Sequence, residues 1–246
     1  MMIGNFATNN PGSFTFYILR TARKSIPVLM LFMVALVVQS CSSNNATIQK
    51  GETSLRLGDY TMATGFFEEV LHRSPDNYDA RVGLGKSLIQ QAVKQHDDTL
   101  LWSKALINLE AARTLRPQSD IEPLLSDAWM ARARINLDNK DTLAALTALS
   151  RTLELTPGST AALNAAGIIY FKMGDSDKSL QLLNRAALID TADAFTFFNA
   201  GMVKWSLGDY DGAHKAWFKA VALAPQDKDI VFWFMTAEKK MTEGRQ

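Results

Sequence analysis

The chain has 246 residues, 47% of them hydrophobic and 21% charged, with 26 Lys+Arg against 25 Asp+Glu. This composition excludes a disordered chain, and the near-balance of charge excludes a broad phosphate-neutralising surface for nucleic acid. A single cysteine excludes an intramolecular disulfide framework and a cysteine-rich zinc or iron–sulfur site.

Residues 1–40 contain no acid and three bases, Arg20, Arg23 and Lys24. An apolar run from Ile26 to Val38 follows directly. A basic region followed by a short apolar run is the layout of a secretory signal peptide. As a helix the thirteen residues rise about 20 Å, short of the roughly 30 Å hydrocarbon core. An uncleaved spanning helix is the alternative.

After the run come Val38-Gln39-Ser40-Cys41-Ser42-Ser43-Asn44-Asn45. An aliphatic residue three before Cys, a small residue just before it and a polar tether after it resemble the lipobox of bacterial lipoproteins. The resemblance implies a signal over 1–40, a diacylglycerol on Cys41, a tether over 41–45, and, with Ser42 next, transport to the outer membrane. Stable attachment needs more than one acyl chain, at about 0.8 kcal/mol per buried CH₂. The blander alternative for Cys41 is an ordinary buried or idle thiol. Without residues 1–40 the chain holds 23 bases against 25 acids, a mildly acidic body on a tether.

Beyond residue 45 the chain repeats with a period of 34. Gly167 and Gly201 share a column, as do Lys140-Asp141, Gly174-Asp175 and Gly208-Asp209. Ala145, Ser179 and Ala213 form another, and so do Thr152, Ala186 and Ala220, and Pro157, Thr191 and Pro225. Small residues at the helix contacts, Gly-Asp at the inner turn and Pro at the outer turn predict a helix–turn–helix unit. The period and the small-residue columns resemble the tetratricopeptide repeat. The fold class expected is all-α: an α-solenoid of five units over 44–77, 78–119, 126–159, 160–193 and 194–227, with a capping helix in 228–246. The second unit holds about eight extra residues, Ala92–Thr99, and a linker, Asp120–Leu125, precedes the third. Thr191 stands where Pro157 and Pro225 stand, so the helix over 176–189 is expected to run slightly long.

No catalytic constellation emerges, and an enzyme is not expected. Ala80–Ser87 resembles a phosphate-binding loop, but its Gly85 falls on the small-residue column of a helix and no strand precedes it. Acid pairs such as Glu68-Glu69 are adjacent in sequence and do not face one another on a helix. His72, His96 and His214 are far apart, so no metal set and no cofactor are expected.

The repeat resemblance implies a concave groove lined by repeat positions two, five, nine and twelve of the first helices. In unit two these are Asp79, Val82, Lys86 and Ile89; in unit three, Asp127, Met130, Arg134 and Leu137. In unit four they are Ala161, Asn164, Ile168 and Phe171; in unit five, Phe195, Phe198, Met202 and Trp205. The groove is thus mixed in its middle and apolar at its C-terminal end, which suits a peptide or helix ligand. The alternative is that Phe198, Met202 and Trp205 pack against the helix after unit five. A clamp for carboxylate tails is not expected, because Ile48 and Glu52 occupy its Lys and Asn positions.

The expected function is a scaffold, lipid-anchored at the periplasmic face of a bacterial outer membrane, that holds a protein or peptide in this groove. Its architecture resembles pilotins, which serve secretin or tight-adherence pilus assembly. The alternatives are an adaptor for cell-wall hydrolases or outer-membrane assembly, and a non-catalytic subunit of an enzyme complex. Sequence does not fix the oligomeric state.

Overall fold

A small residue on the first helix of each unit faces a large one on the second, and this pairing sets the architecture. The structure, a computed structural model, describes residues 43–95, 98–117 and 120–243. Among the described residues there are eleven helices and no strand. Helix α1 covers 43–56. Then follow α2 (Tyr60–Arg73), α3 (Tyr78–Lys94), α4 (Thr99–Leu115), α5 (Glu122–Asp138) and α6 (Thr142–Leu155). The array continues with α7 (Thr160–Lys172), α8 (Ser176–Ile189), α9 (Ala194–Ser206), α10 (Tyr210–Leu223) and α11 (Lys228–Glu243). Residues 1–40 and the candidate lipidation site Cys41 lie outside the described residues.

Odd and even helices pair into five hairpins. A Cβ on Gly51 would stand 2.8 Å from the Phe67 ring, one on Gly85 2.6 Å from Leu109, and one on Gly167 2.9 Å from Leu183. On Gly201 it would stand 2.3 Å from Nε1 of Trp217. In unit three Ala133 fills the same place beside the buried Leu149. Gly83 adds a contact between units, since a Cβ there would meet Phe67 at 2.4 Å. The phosphate-loop-like stretch is therefore part of the packing of α3, and the Ser87 hydroxyl donates to the Gly83 carbonyl at 2.8 Å. Stacking the hairpins gives a string of apolar clusters from Ile48 in α1 to Ala237 in α11.

The inner turns explain the Gly-Asp column. Gly58, Gly174 and Gly208 have φ of 78°, 87° and 80°, left-handed backbone that ends a helix at little cost only for glycine. The next residue, Asp59, Asp175 or Asp209, accepts from the N–H of Met62, Lys178 or Gly212 at 2.9–3.0 Å. Asp141 caps α6 in the same way, but the residue before it is Lys140, with φ of 61°.

Two expectations are corrected, and one that the sequence leaves open is decided. The extra residues of unit two could lie between its helices or extend them; Ala92–Lys94 continue α3 and Thr99 opens α4, so α3 and α4 each have 17 residues where α7 has 13 and α8 has 14. The linker before unit three is mostly helical, because α5 starts at Glu122 and holds Pro123 in its first turn. Proline is tolerated there, since that N–H has no helical partner to lose. Thr191 does not extend α8, which ends at Ile189 like its equivalents. Asp190 turns the chain instead, its carboxylate accepting from the Ala192 N–H at 2.9 Å.

Gly201→Ala is expected to destabilise the protein by about 1–3 kcal/mol in urea unfolding, although alanine is the better helix former. Lys140→Gly is expected to raise stability by about 0.5–1 kcal/mol by relieving left-handed strain, less the added chain entropy. A thermal melt of the two variants beside the parent checks both.

Candidate functional site

The face made by the first helices carries two open clefts. One, of about 480 Å³, lies against α1, α3 and the start of α5, and Asp79, Val82 and Lys86 line it together with Glu52, Arg56 and Asp120. The other, of about 440 Å³, is lined by Val93 and Trp102 of the longer hairpin and by Asp127, Met130, Ala131 and Arg134 of α5. The expected groove residues Lys86, Met130 and Arg134 therefore meet at open clefts, each with the residues at positions two and five of its own unit.

Residues of unit two prepare the first cleft. Arg116 lies 4.1 Å from the centre of the Tyr78 ring and 3.7 Å from the Asp79 carboxylate. The aspartate's charge at that margin is thus offset, in a pair open to water and worth at most about 1 kcal/mol. In the second cleft the apolar wall comes from the lengthened hairpin of α3 and α4: Val93 stays 58% exposed while Trp102 is 4% exposed. Sequence reasoning did not assign Val93 or Trp102 to a site. The signal available was an apolar residue, Val93, within the eight residues that break the period, and Trp102 three residues after them.

Unit four behaves differently. The Asn164 amide donates to Oδ2 of Asp193 at 2.9 Å and to the Thr196 hydroxyl at 2.5 Å. Thr196 in turn donates to Asp193 at 2.6 Å. Asn164 ties α7 to the start of α9 and does not present a free amide to a groove. Phe171 packs against the cluster of Leu183, Ala200 and Val203, and Ile168 is half-buried.

In unit five the open apolar end is not formed. Phe198, Met202 and Trp205 pack in one cluster with Trp217, Trp233 and Phe234. The Trp205 ring centre lies 5.7 Å from that of Trp217 and 6.1 Å from that of Trp233, and Trp217 and Trp233 are 5.5 Å apart. The Trp217 indole donates to the Phe198 carbonyl at 3.0 Å. Three aromatic rings gain more from burial under α11 than from facing water. Of the four unit-five positions, only Phe195 remains open, at 60%.

A further cleft of about 620 Å³ opens between α8 and α10, bordered by Leu188, Phe197, Lys219 and Leu223. It belongs to the second-helix side, away from the first-helix face. Among the described residues no group of three or more His, Cys, Asp and Glu stands close enough to hold a metal ion. None of their helices is long and apolar enough to cross a membrane.

Residues 130–195 match the family model of the tetratricopeptide repeat. The chain resembles the crystal structure of the MamA protein, with 22% identity over 74% of this chain and 92% of that one, at a TM-score of 0.53. It also resembles YrrB, described as a tetratricopeptide-repeat protein with an unusual peptide-binding site, with 19% identity over 78% and 90% and a TM-score of 0.54. No curated protein matches the chain in sequence. The fold is thus an all-helical solenoid of the tetratricopeptide type.

Trp205→Ala is expected to cost about 2–4 kcal/mol of stability, because it empties a packed site. Phe195→Ala is expected to change stability by less than about 0.5 kcal/mol. Urea unfolding of the two variants separates a core residue from a surface one.

Proposed function

We propose that the chain is a lipid-anchored scaffold of the bacterial envelope that holds a segment of another protein along its first-helix face. The pair of open clefts on α1, α3, α4 and α5 carries this reading, because they join charged side chains to unfilled apolar surface at adjoining units. YrrB, which shares the fold, has a peptide-binding site, and a peptide segment is the class of occupant we take here. The anchor rests on sequence: bases before an apolar run, and Cys41 followed by a polar tether. A chain attached at its front end keeps the first units near the bilayer, and stable attachment needs more than one acyl chain. The periplasmic face of the outer membrane is the proposed location, and pilus or secretin assembly is the proposed pathway.

Two measurements test the reading. Cys41→Ser is expected to abolish incorporation of labelled palmitate and to move the protein to the soluble fraction. Retention in the membrane without label would instead favour the uncleaved helix. A photo-cross-linking benzoylphenylalanine at Val93 is expected to capture one envelope protein in cells, while the same group at the exposed Leu143, which lines neither cleft, captures none. Equal capture at both positions, or none at Val93, would remove the groove from the account.

A further inference from the structure

The cleft between α8 and α10 opens at a place that the neighbouring units fill. Four residues before the outer-turn proline, or before Thr191 in unit four, the five units have Leu71, Arg113, Leu153, Ala187 and Val221. Unit four alone has a small side chain there. Leu71, Leu153 and Val221 pack against apolar clusters, whereas Ala187 lines the open cleft of about 620 Å³.

The cations of the same two units differ in a matching way. Arg185 of α8 and Lys219 of α10 are 34 residues apart. Arg185 reaches back to the turn after α6 and donates to the Pro157 carbonyl at 2.6 Å. The Lys219 ammonium makes no such bond to Thr191; it stands 5.3 Å from the centre of the Phe197 ring, which is half-buried at the cleft. Of the residues that line the cleft, Lys219 alone is charged. Among the described residues its ammonium has no carboxylate partner, and the Asn184 and Thr191 side chains on the same rim have no hydrogen-bond partner. The nearest acids in sequence are engaged in their own turn: Asp190 accepts from the Ala192 N–H, and Asp193 from Asn164 and Thr196. An apolar floor with a few unpartnered polar groups at its rim is the build of a binding cleft.

We infer that this cleft is a second docking site, for a partner segment that carries a bulky aliphatic side chain and, four residues on, a carboxylate. The side chain takes the space that Ala187 leaves, and the carboxylate meets Lys219. The spacing comes from the closed groove one unit earlier, where Leu153 and the Pro157 carbonyl that binds Arg185 are four residues apart on one segment. A carboxylate is favoured over a neutral oxygen because the bond to Lys219 is then assisted by charge on both sides. A segment with Lys at that place meets a like charge instead. The site lies on the second-helix side and depends on neither the first-helix clefts nor the lipid anchor.

The test uses the full chain in phosphatidylcholine nanodiscs, with benzoylphenylalanine in place of Leu188, which lines the cleft and is 83% exposed. The probes are three biotinylated helical peptides on one alanine–glutamine frame: Leu with Glu four residues later, Leu with Lys there, and Ala with Glu. Cross-link yield against concentration is expected to show the Leu–Glu peptide binding about threefold or more tighter than the Leu–Lys peptide, in line with one exposed ion pair. It is expected to bind about tenfold or more tighter than the Ala–Glu peptide, which lacks the buried side chain. Lys219→Glu, at an exposed position, is expected to reverse the order of the two Leu peptides and leave the melt unchanged. Ala187→Leu, which gives unit four the residue of unit three, is expected to weaken Leu–Glu binding about fivefold or more without lowering the melt. Equal binding of the three peptides, no cross-link to any of them, an unchanged order in Lys219→Glu, or undiminished binding to Ala187→Leu would each overturn the inference. A concentration-dependent dimer of the parent chain that Ala187→Leu abolishes would overturn it too, by giving the cleft to a second copy.

Discussion

The contact between a small residue on one helix and a large one on the next organises this molecule. Gly51 faces Phe67, Gly85 faces Leu109, Gly167 faces Leu183 and Gly201 faces Trp217, each closer than a Cβ would allow. Close approach brings the helices of a hairpin into dense contact, where dispersion and burial outweigh glycine's unfavourable helix propensity of about 1 kcal/mol. A single hairpin still leaves apolar surface open, so the units stack, and apolar clusters follow one another along the hairpins. The site follows from the stack, because the first helices present one face in register only while their second helices hold them at a constant spacing.

Much of this was legible in the sequence because the constraint repeats. A column of small residues every 34 positions needs no partner information to be recognised, and the Gly-Asp turns announce both the end of one helix and the cap of the next. Lys140 shows how firmly the turn is set: the backbone takes φ of 61° at a residue other than glycine, because the hairpins on either side fix the path. The insertion of unit two was legible as a break in the period. Its conformation was not, since eight polar and apolar residues beside two helix ends can form a loop or extend both helices. The choice depends on the burial of Trp102 against α5 and neighbouring helices, a tertiary contact that no local pattern encodes.

The groove residues were legible only in part, for a related reason. Repeat position specifies the side of the helix, and it does not specify what covers that side. Lys86, Met130 and Arg134 stand at open clefts. Phe198, Met202 and Trp205 hold the same repeat positions but lie under α11, where Trp233 and Phe234 meet them. Asn164 is taken up by Asp193 and Thr196, whose hydrogen bonds fix the start of α9. In each case a neighbour later in the chain, three dozen residues away or fewer, decides between core and surface.

These differences divide the array into two working halves. The aromatic positions of the last units serve cohesion: α11 lies where a further first helix would lie and buries Ile230 and Ala237 against unit five, as α9 buries Thr196 and Val203. The middle units keep charge and unfilled apolar surface side by side, an arrangement too polar to serve as core and too apolar to be a plain solvated face. A surface of that kind is stable in water only because the small-to-large contacts beneath it hold the helices without help from the face itself. The same separation lets unit two accept eight extra residues and gain a cleft wall at Val93 while its Gly85–Leu109 contact stays the one used throughout the stack. Partner choice can therefore change at the exposed positions two and nine of the middle units with little effect on folding, provided the small-to-large pairs keep their sizes.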